Sequence, residues 1–275
     1  MPDFRVFCEP PVAEPEAITL SRDESQHLVA VNRAQPGDTV VAFDGRGNEW
    51  IGELIDASKT AARLRVRFAQ KIKPLPYAIT LGQALPKGDS MERIVRKATE
   101  IGVAQIAPLQ SERTQVHLDA QRQDKKHDKW RVAALEAAKQ CGNAHLPRIA
   151  PLQSATALMQ GARGYDLKLI ASLQPGARSL KSVLRDYAAA RAASAGAAGA
   201  ERTSAEAADN ASHASEALPR NVLWLIGPEG DFTPAEMSAA ASCGFEPVTL
   251  GPLVLRCETA AIYALSILSH ELQSA

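Results

Sequence analysis

Two short loops carry the densest chemistry in the sequence. The first reads Gly227-Pro228-Glu229-Gly230-Asp231-Phe232, and the second reads Leu250-Gly251-Pro252-Leu253-Val254-Leu255-Arg256-Cys257-Glu258-Thr259. In each, a glycine lets the backbone approach a ligand closely. A proline fixes the turn and removes one donor, which leaves carbonyls to face whatever binds. Such loops suit a flat base such as adenine, which pairs with backbone N–H and C=O groups. They suit a pyrophosphate less well. No G-x-G-x-x-G follows a strand and no G-x-x-x-x-G-K-[ST] occurs, which argues against nicotinamide and P-loop chemistry. The flanking charges, Arg256, Glu258 and Glu229, are of the types that steady a developing anion or move a proton. One Gly-Pro turn would read as a plain strand-to-helix connection. Two in succession, each carrying charge, read as a ligand site.

The surrounding pattern supplies a frame for both loops. Val222-Leu223-Trp224-Leu225-Ile226 is a continuous apolar run, the mark of a buried strand, and it delivers Gly227 at its carboxyl end. A helix starts at Thr233-Pro234-Ala235-Glu236, with threonine at the cap, proline at the first helical position and glutamate three residues after the cap. It stops at Cys243-Gly244. Val248-Thr249-Leu250 ends the next strand, and a last helix runs from about Ala260 to Leu272. Upstream, Tyr77 to Leu85 reads as a strand. Met91, Ile94, Val95, Ala98 and Ile101 recur at helical spacing before Gly102. Val103 to Pro108 is a strand, Asp128 caps a helix from Trp130 towards Gln140, and Leu167 to Ala171 is a further strand. Strands alternating with helices predict an α/β domain with a mainly parallel sheet and helices on both faces. Open sheets of that kind bind ligands at the carboxyl ends of their strands, where both loops lie.

The amino-terminal part reads differently. Thr39-Val40-Val41-Ala42-Phe43 and Trp50 to Ile55 are strands joined by the turn Asp44-Gly45-Arg46-Gly47. Ala62-Arg63-Leu64-Arg65-Val66-Arg67-Phe68 alternates strictly, which predicts arginines on one face and apolar residues, Phe68 included, on the other. Short strands with tight turns suggest a small β-barrel. Lys71-Ile72-Lys73-Pro74-Leu75-Pro76 reads as a stiff linker, so the chain divides into residues 1–72 and 73–275. From about 188 to 218 it is rich in alanine with almost no large apolar residue. The first part of that stretch favours helix, and most of it reads as a mobile surface insertion.

Composition bounds the rest. Lysine plus arginine and aspartate plus glutamate each total 31, so the net charge is zero and binding to nucleic acid through charge alone is disfavoured. The four cysteines form no C-x-x-C pair and no metal-ligand cluster, which reads as free thiols in a reducing cytoplasm without a metal. Met1 to Pro10 lacks an apolar targeting core, and no run approaches the ~18 apolar residues of a membrane span.

Four stretches together resemble the bacterial 16S ribosomal RNA (uracil-N3) methyltransferase family, a branch of the SPOUT superfamily. They are Gly88 to Arg93 running into Lys97 to Val103; Ser111-Glu112-Arg113; Leu225 to Gly230; and Leu250-Gly251-Pro252 with Leu255 to Ala260. The segment Glu136 to Gly142, with Gln140-Cys141-Gly142, fits as well. The sequence departs from the family pattern at Asn143, where arginine is frequent, and after His27, where Val31-Asn32-Arg33 stands in place of a Leu-Arg pair. The resemblance implies a PUA-like β-barrel that binds RNA, followed by a trefoil-knotted α/β domain, an exception to unknotted folds. It implies S-adenosylmethionine held in the knot, a homodimer, and as substrate a decoding-region uridine of 16S rRNA in the small ribosomal subunit.

On that reading, Ile226, Gly227, Pro228, Gly230, Leu250, Gly251, Leu255 and Arg256 are expected to hold the cofactor through backbone approach and an apolar wall. Uracil N3 must lose a proton to become nucleophilic. Arg256 is expected to steady the uracil anion or a nearby phosphate, and Glu258 or Glu229 to take the proton. His27, Arg33, Lys87, Arg93, Lys97 and Arg113 are the expected RNA contacts, with Arg93 and Lys97 on one helix face. Two alternatives stay open at this point: a SPOUT methyltransferase acting on ribose or a tRNA base, and a non-catalytic ribosome-assembly factor.

Overall fold

The computed structural model describes residues 4–10, 15–116, 118–199 and 218–273. The chain divides into two compact units, Met1–Leu75 with Arg131–Pro147 and Pro76–Trp130 with Arg148–Ala275.

In the first unit, β1 (Phe4–Phe7), β2 (Ala17–Thr19), β3 (Thr39–Phe43), β4 (Asn48–Asp56) and β5 (Arg63–Lys71) form one sheet in the order β1-β3-β4-β5-β2. The β1–β3 pair is parallel and the remaining pairs are antiparallel. One face carries Val6, Val40, Ala42, Trp50, Leu54 and Leu64 into a buried cluster closed by Leu28. Leu28 lies in a π-helical turn, His27–Val31, which continues the short helix α1 (Arg22–Gln26). His27 is half-buried there, and exposed Arg33 follows at φ 60°.

The register corrects one expectation. Leu64 and Val66 face the core as the alternation predicts, but a bulge between Ile51 and Gly52 of β4 inserts an extra residue into β5. A one-residue slip moves every later side chain to the opposite face. Phe68 therefore leaves the core face and is 55% exposed.

The second unit is the parallel sheet that the alternating pattern predicts. Its strands are β6 (Ala78–Ala84), β7 (Gln105–Gln110), β8 (Arg148–Ile149), β9 (Gln153–Ser154), β10 (Leu167–Ala171), β11 (Asn221–Ile226) and β12 (Glu246–Val248). They run in the order β12-β10-β11-β6-β7-β8, with β9 also on β7. Its helices are α2 (Ser90–Ile101), the first part of α3 (Ala120–Cys141), α4 (Ala155–Gly161), α5 (Leu180–Gly199), α6 (Pro234–Ser242) and α7 (Cys257–Gln273). Leu223 and Leu225 of β11 pack with Leu158, Met159 and Ala240, so α4 and α6 cover that face. Val222, Trp224 and Ile226 alternate to the other face, where α2 and α7 pack on each other and α7 lies on β6 and β11.

Several boundaries differ from the sequence reading, among them the strand read at Val103 to Pro108, which runs Gln105–Gln110. Helix α3 begins at Ala120, before Asp128, because Gln, Lys and Arg in that stretch are good helix formers and need no cap at Asp128. Strand β12 ends at Val248, and α7 starts at Cys257. Helix α5 covers the start of the alanine-rich stretch, and residues 200–217 of it lie outside the described residues. Among the described residues no helix is long and apolar enough to cross a membrane.

Candidate active site

The strands that precede the two Gly-Pro loops, β11 and β12, are not neighbours. Strand β10 lies between them, with Ile170 in register with both Leu225 and Pro247. The loops therefore flank a third, Ala171-Ser172-Leu173, and the three surround an open cleft. The wall is largely apolar, from Leu173, Ile226, Leu250 and Leu255, while Glu229 and Asp231 supply charge. Of the residues expected to hold a cofactor, Ile226, Gly227, Pro228, Leu250 and Leu255 line this cleft. Gly230, Gly251 and Arg256 each stand beside a lining residue without lining it themselves.

The first loop is tied at nearly every residue. Asp231 donates its N–H to the Pro228 carbonyl at 2.9 Å and sits at φ 58°, a left-handed conformation that aspartate tolerates better than most residues. Its Oδ1 accepts the Phe232 N–H at 2.8 Å and would lie 3.1 Å from a Cβ on Gly227, which is why glycine fits there. Phe232 is buried in the core beneath. Glu229 Oε1 accepts the backbone N–H of Lys87 at 2.8 Å, and Arg113 Nη1 donates to the Gly230 carbonyl at 2.9 Å. Beyond the loop, Glu236 closes the expected capping box with Thr233 and is 3% exposed. Its carboxylate accepts from Thr233 N at 2.9 Å and from Glu112 N at 3.0 Å. The cap thereby also holds Glu112, the residue before Arg113.

The second loop is open. Thr249 Oγ1 accepts the Gly251 N–H at 3.2 Å, and Gly251 turns at φ 115°, where a side chain would be strained. Leu253 and Val254 are then 71% and 83% exposed. Arg256 is exposed, and its guanidinium has no hydrogen-bond or ion-pair partner among the described residues. Its carbonyl accepts the Ala260 N–H at 2.8 Å as α7 begins. Cys257 is buried on the cleft, its thiol pushed up to about 12 by burial first, then by Glu229 and Glu258. Both carboxylates therefore lie near it. Glu258 occupies the first turn of α7, where the helix dipole favours a negative charge, and accepts from Arg93 Nη1 at 3.1 Å. Lys97 pairs instead with Glu100 on its own helix at 2.8 Å. His27 and Arg33 belong to the first unit.

Sequence reasoning missed the β10 loop, Asp231, and the apolar pair Leu253 and Val254 as parts of the cleft. A signal for the first is present. Leu167 to Ala171 reads as a parallel strand, and its carboxyl end has to lie on the same edge as the other two.

A family model of the RNA methyltransferase domain matches residues 73–203 and 177–269, and a model of the RNA methyltransferase PUA domain matches residues 20–67. The matched models, a parallel sheet with a cleft at its carboxyl edge and a PUA-like sheet before it, place the chain among two-part RNA methyltransferases. Relatives spanning the chain narrow the class. Ribosomal RNA small subunit methyltransferase E of Bacillus subtilis is 29% identical, over 94% of this chain and 92% of the relative. The protein of that name from Mycobacterium bovis is 30% identical, over 88% and 82%. The crystal structure of a ribosomal RNA small subunit methyltransferase E from Neisseria gonorrhoeae, bound to S-adenosyl methionine, matches with a TM-score of 0.76 at 25% identity, covering 97% of each chain. A chain from Legionella pneumophila, solved with the bound cofactor SAM, matches with a TM-score of 0.78 at 28% identity, over 98% and 97%. The protein belongs to the ribosomal RNA small subunit methyltransferase E family.

Proposed function

We propose that this protein transfers a methyl group from S-adenosylmethionine to N3 of a uracil in 16S ribosomal RNA, at a decoding-region uridine of the small subunit. The observation that carries this reading is the meeting of the two Gly-Pro loops around one apolar cleft, in a chain whose solved relatives hold S-adenosyl methionine. The residues present fit that group. Leu, Ile and Pro side chains would supply an apolar wall for an adenine, the glycines would let backbone N–H and C=O groups reach a base edge, and Glu229 and Asp231 on the lining would offer a sulfonium opposite charge.

When bound, the cofactor supplies an already activated methyl group. The protein's own residues must then orient the uracil, exclude water and take one proton. Glu229 takes the proton in this reading, supported by its position on the cleft lining and by the Lys87 amide, which one of its carboxylate oxygens accepts. Arg256, with no partner among the described residues, steadies the uracil anion or an adjacent phosphate in this reading. Glu258, engaged by Arg93, positions the start of α7. Lys87, Arg93, Lys97 and Arg113 on the second unit, and His27 and Arg33 on the first, are the RNA contacts of this reading. Residues 1–72 serve as the RNA-binding domain and 73–275 as the catalytic one. The trefoil threading, the homodimer and a cytoplasmic location belong to the same reading. The exposed apolar side chains of Leu253, Val254 and Tyr263 support a second copy covering that surface.

The test is incubation with methyl-labelled S-adenosylmethionine and small ribosomal subunits from a strain lacking the gene, followed by digestion and mass spectrometry. Label in 3-methyluridine at one position is the expected result. Label in a ribose or in another base would replace the uracil-N3 assignment, and absence of both label and cofactor binding would overturn the enzyme reading.

A further inference from the structure

The loop that follows β10 is stitched at both ends to β12. As β10 finishes, Ser172 donates its N–H to the Val248 carbonyl at 3.0 Å. Further on, Arg178 donates its N–H to the Pro247 carbonyl and accepts the Thr249 N–H, each at 3.0 Å. Successive residues of a strand turn these groups to opposite sides, so Ser172 and Arg178 border opposite edges of β12. The chain between them, Leu173-Gln174-Pro175-Gly176-Ala177, arches across the carboxyl end of β12, just before the second Gly-Pro loop. Within the arch, Ser172 Oγ accepts the Gln174 N–H at 3.1 Å, and the Gln174 carbonyl accepts the Ala177 N–H at 3.2 Å. Leu173 lines the cleft and is 54% exposed. At the far end of the arch, Arg178 Nη2 donates to Ser182 Oγ at 3.0 Å and to the carboxylate of Asp186, both on α5. Its Nη1 faces Glu246 of β12 at 3.8 Å, and Asp186 is shared with Arg185 at 3.5 Å.

One guanidinium thus joins α5, the arch and β12. Its partner Asp186 is 54% exposed, and ion pairs so open to water add little to stability. What a planar, forked cation does supply between two elements is fixed geometry. Leu173 is the side chain that stands to gain from it, because a half-exposed leucine on an apolar lining is buried further when a ligand covers it. We infer that Arg178 is a positioning residue for the methyl-donor cleft: by clasping the arch to α5 and β12, it holds Leu173 against the bound cofactor. The inference rests on the proposed use of S-adenosylmethionine. It places a determinant of cofactor affinity outside the cleft, since Arg178 is not on its lining. Ordering a loop on binding costs affinity, and an arch clasped beforehand leaves less to order.

The experiment measures the affinity of the full-length protein for S-adenosylmethionine by calorimetry. Leu173→Ala is expected to weaken it about 10-fold, the scale for one aliphatic side chain withdrawn from an apolar contact. Arg178→Ala is expected to weaken it about 5-fold through the added ordering on binding, and Arg178→Lys, which keeps the charge, to recover part of the loss. The double variant should bind no more weakly than Leu173→Ala alone, because both changes remove the same contact. KM for S-adenosylmethionine should follow the affinity, with kcat and KM for small subunits unchanged. In Arg178→Ala, amide hydrogen exchange should speed up across residues 173–177 while β11 stays protected. Asp186→Asn, which loosens the α5 end of the clasp, should show the same pattern more weakly. Unchanged affinity in Arg178→Ala, additive losses in the double variant, or faster exchange in β11 overturns the assignment even if the wild type methylates uracil. A wild type that binds no S-adenosylmethionine overturns the cofactor reading and the clasp with it. The expected losses in a protein that methylates nothing would overturn the proposed reaction and uphold the clasp.

Discussion

The two loops of the cleft look alike in sequence and are built in opposite ways. The first is held by its own Asp231, by the Lys87 amide, by Arg113 and, through α6, by Glu236. The second has one short-range clasp at Thr249 and leaves two aliphatic side chains and an arginine facing outward. The difference separates two tasks. A loop pinned from several directions keeps backbone groups in place before a ligand arrives, which lowers the ordering needed on binding. A loop with exposed apolar side chains and an unpaired cation gains its partners only when ligand, RNA or a second copy arrives.

Arg256 breaks the comparison most sharply. A cation at the start of a helix opposes the helix dipole, and an exposed one without a partner adds nothing to folding. Arg256→Ala is therefore expected to leave the melting temperature unchanged or slightly raised. Single-turnover methylation at saturating subunits should fall about 100-fold, the scale for one lost donor to a developing anion. Wild-type turnover in this variant would remove Arg256 from the mechanism and leave the second loop with no chemical role.

The complementary change is in the first loop's anchor. Glu236→Ala leaves the part-buried amides of Glu112 and Thr233 without their acceptor and removes a capping box, a loss of about 2 kcal/mol. Urea unfolding should report it as a lower midpoint at unchanged slope. Weaker S-adenosylmethionine binding should accompany it, because Arg113 and Gly230 lose their common support. Unchanged stability would mean that the first loop holds its shape without the cap.

Much of this arrangement could be read from local sequence. The apolar run before Gly227, the Thr233-Pro234 helix start and the strand at Thr39 to Phe43 each state their structure within a few residues, and the observed elements agree. The strand-end rule put both Gly-Pro loops on one edge. What local sequence did not carry was pairing. That β10 lies between β11 and β12 is decided by interactions across more than 50 residues, as with Asp166 holding the amides of Arg220 and Asn221. The β5 bulge likewise depends on a two-against-one match with β4, which no alternation within β5 encodes. The carboxylate of Glu236 was legible as a cap, while its hold on Glu112 required the fold.

Cys257 gives the smallest expected effect, and it reports on the floor the two loops share. Its thiol stands at the cleft with both carboxylates near, and burial, Glu229 and Glu258 raise it from 9.0 to about 12. A thiol held neutral in the folded state contributes stability that is complete below the unfolded value near pH 9. That contribution is lost as pH rises towards 12. Cys8, raised to about 12 in the first unit by burial first, acts in the same direction. Alkali melts of the wild type and of Cys257→Ala should therefore diverge, the wild type losing stability more steeply between about pH 9 and 12. At neutral pH the variant should be destabilised by about 1 kcal/mol. The proposed transfer to N3 would form no bond to the thiol, so the variant's turnover should stay near wild type and the folded thiol should alkylate slowly at pH 8. Fast labelling would mean that burial and the two carboxylates do not hold the thiol neutral. Abolished turnover in a folded Cys257→Ala variant would put sulfur into the chemistry and undo the division between a holding loop and a reacting one.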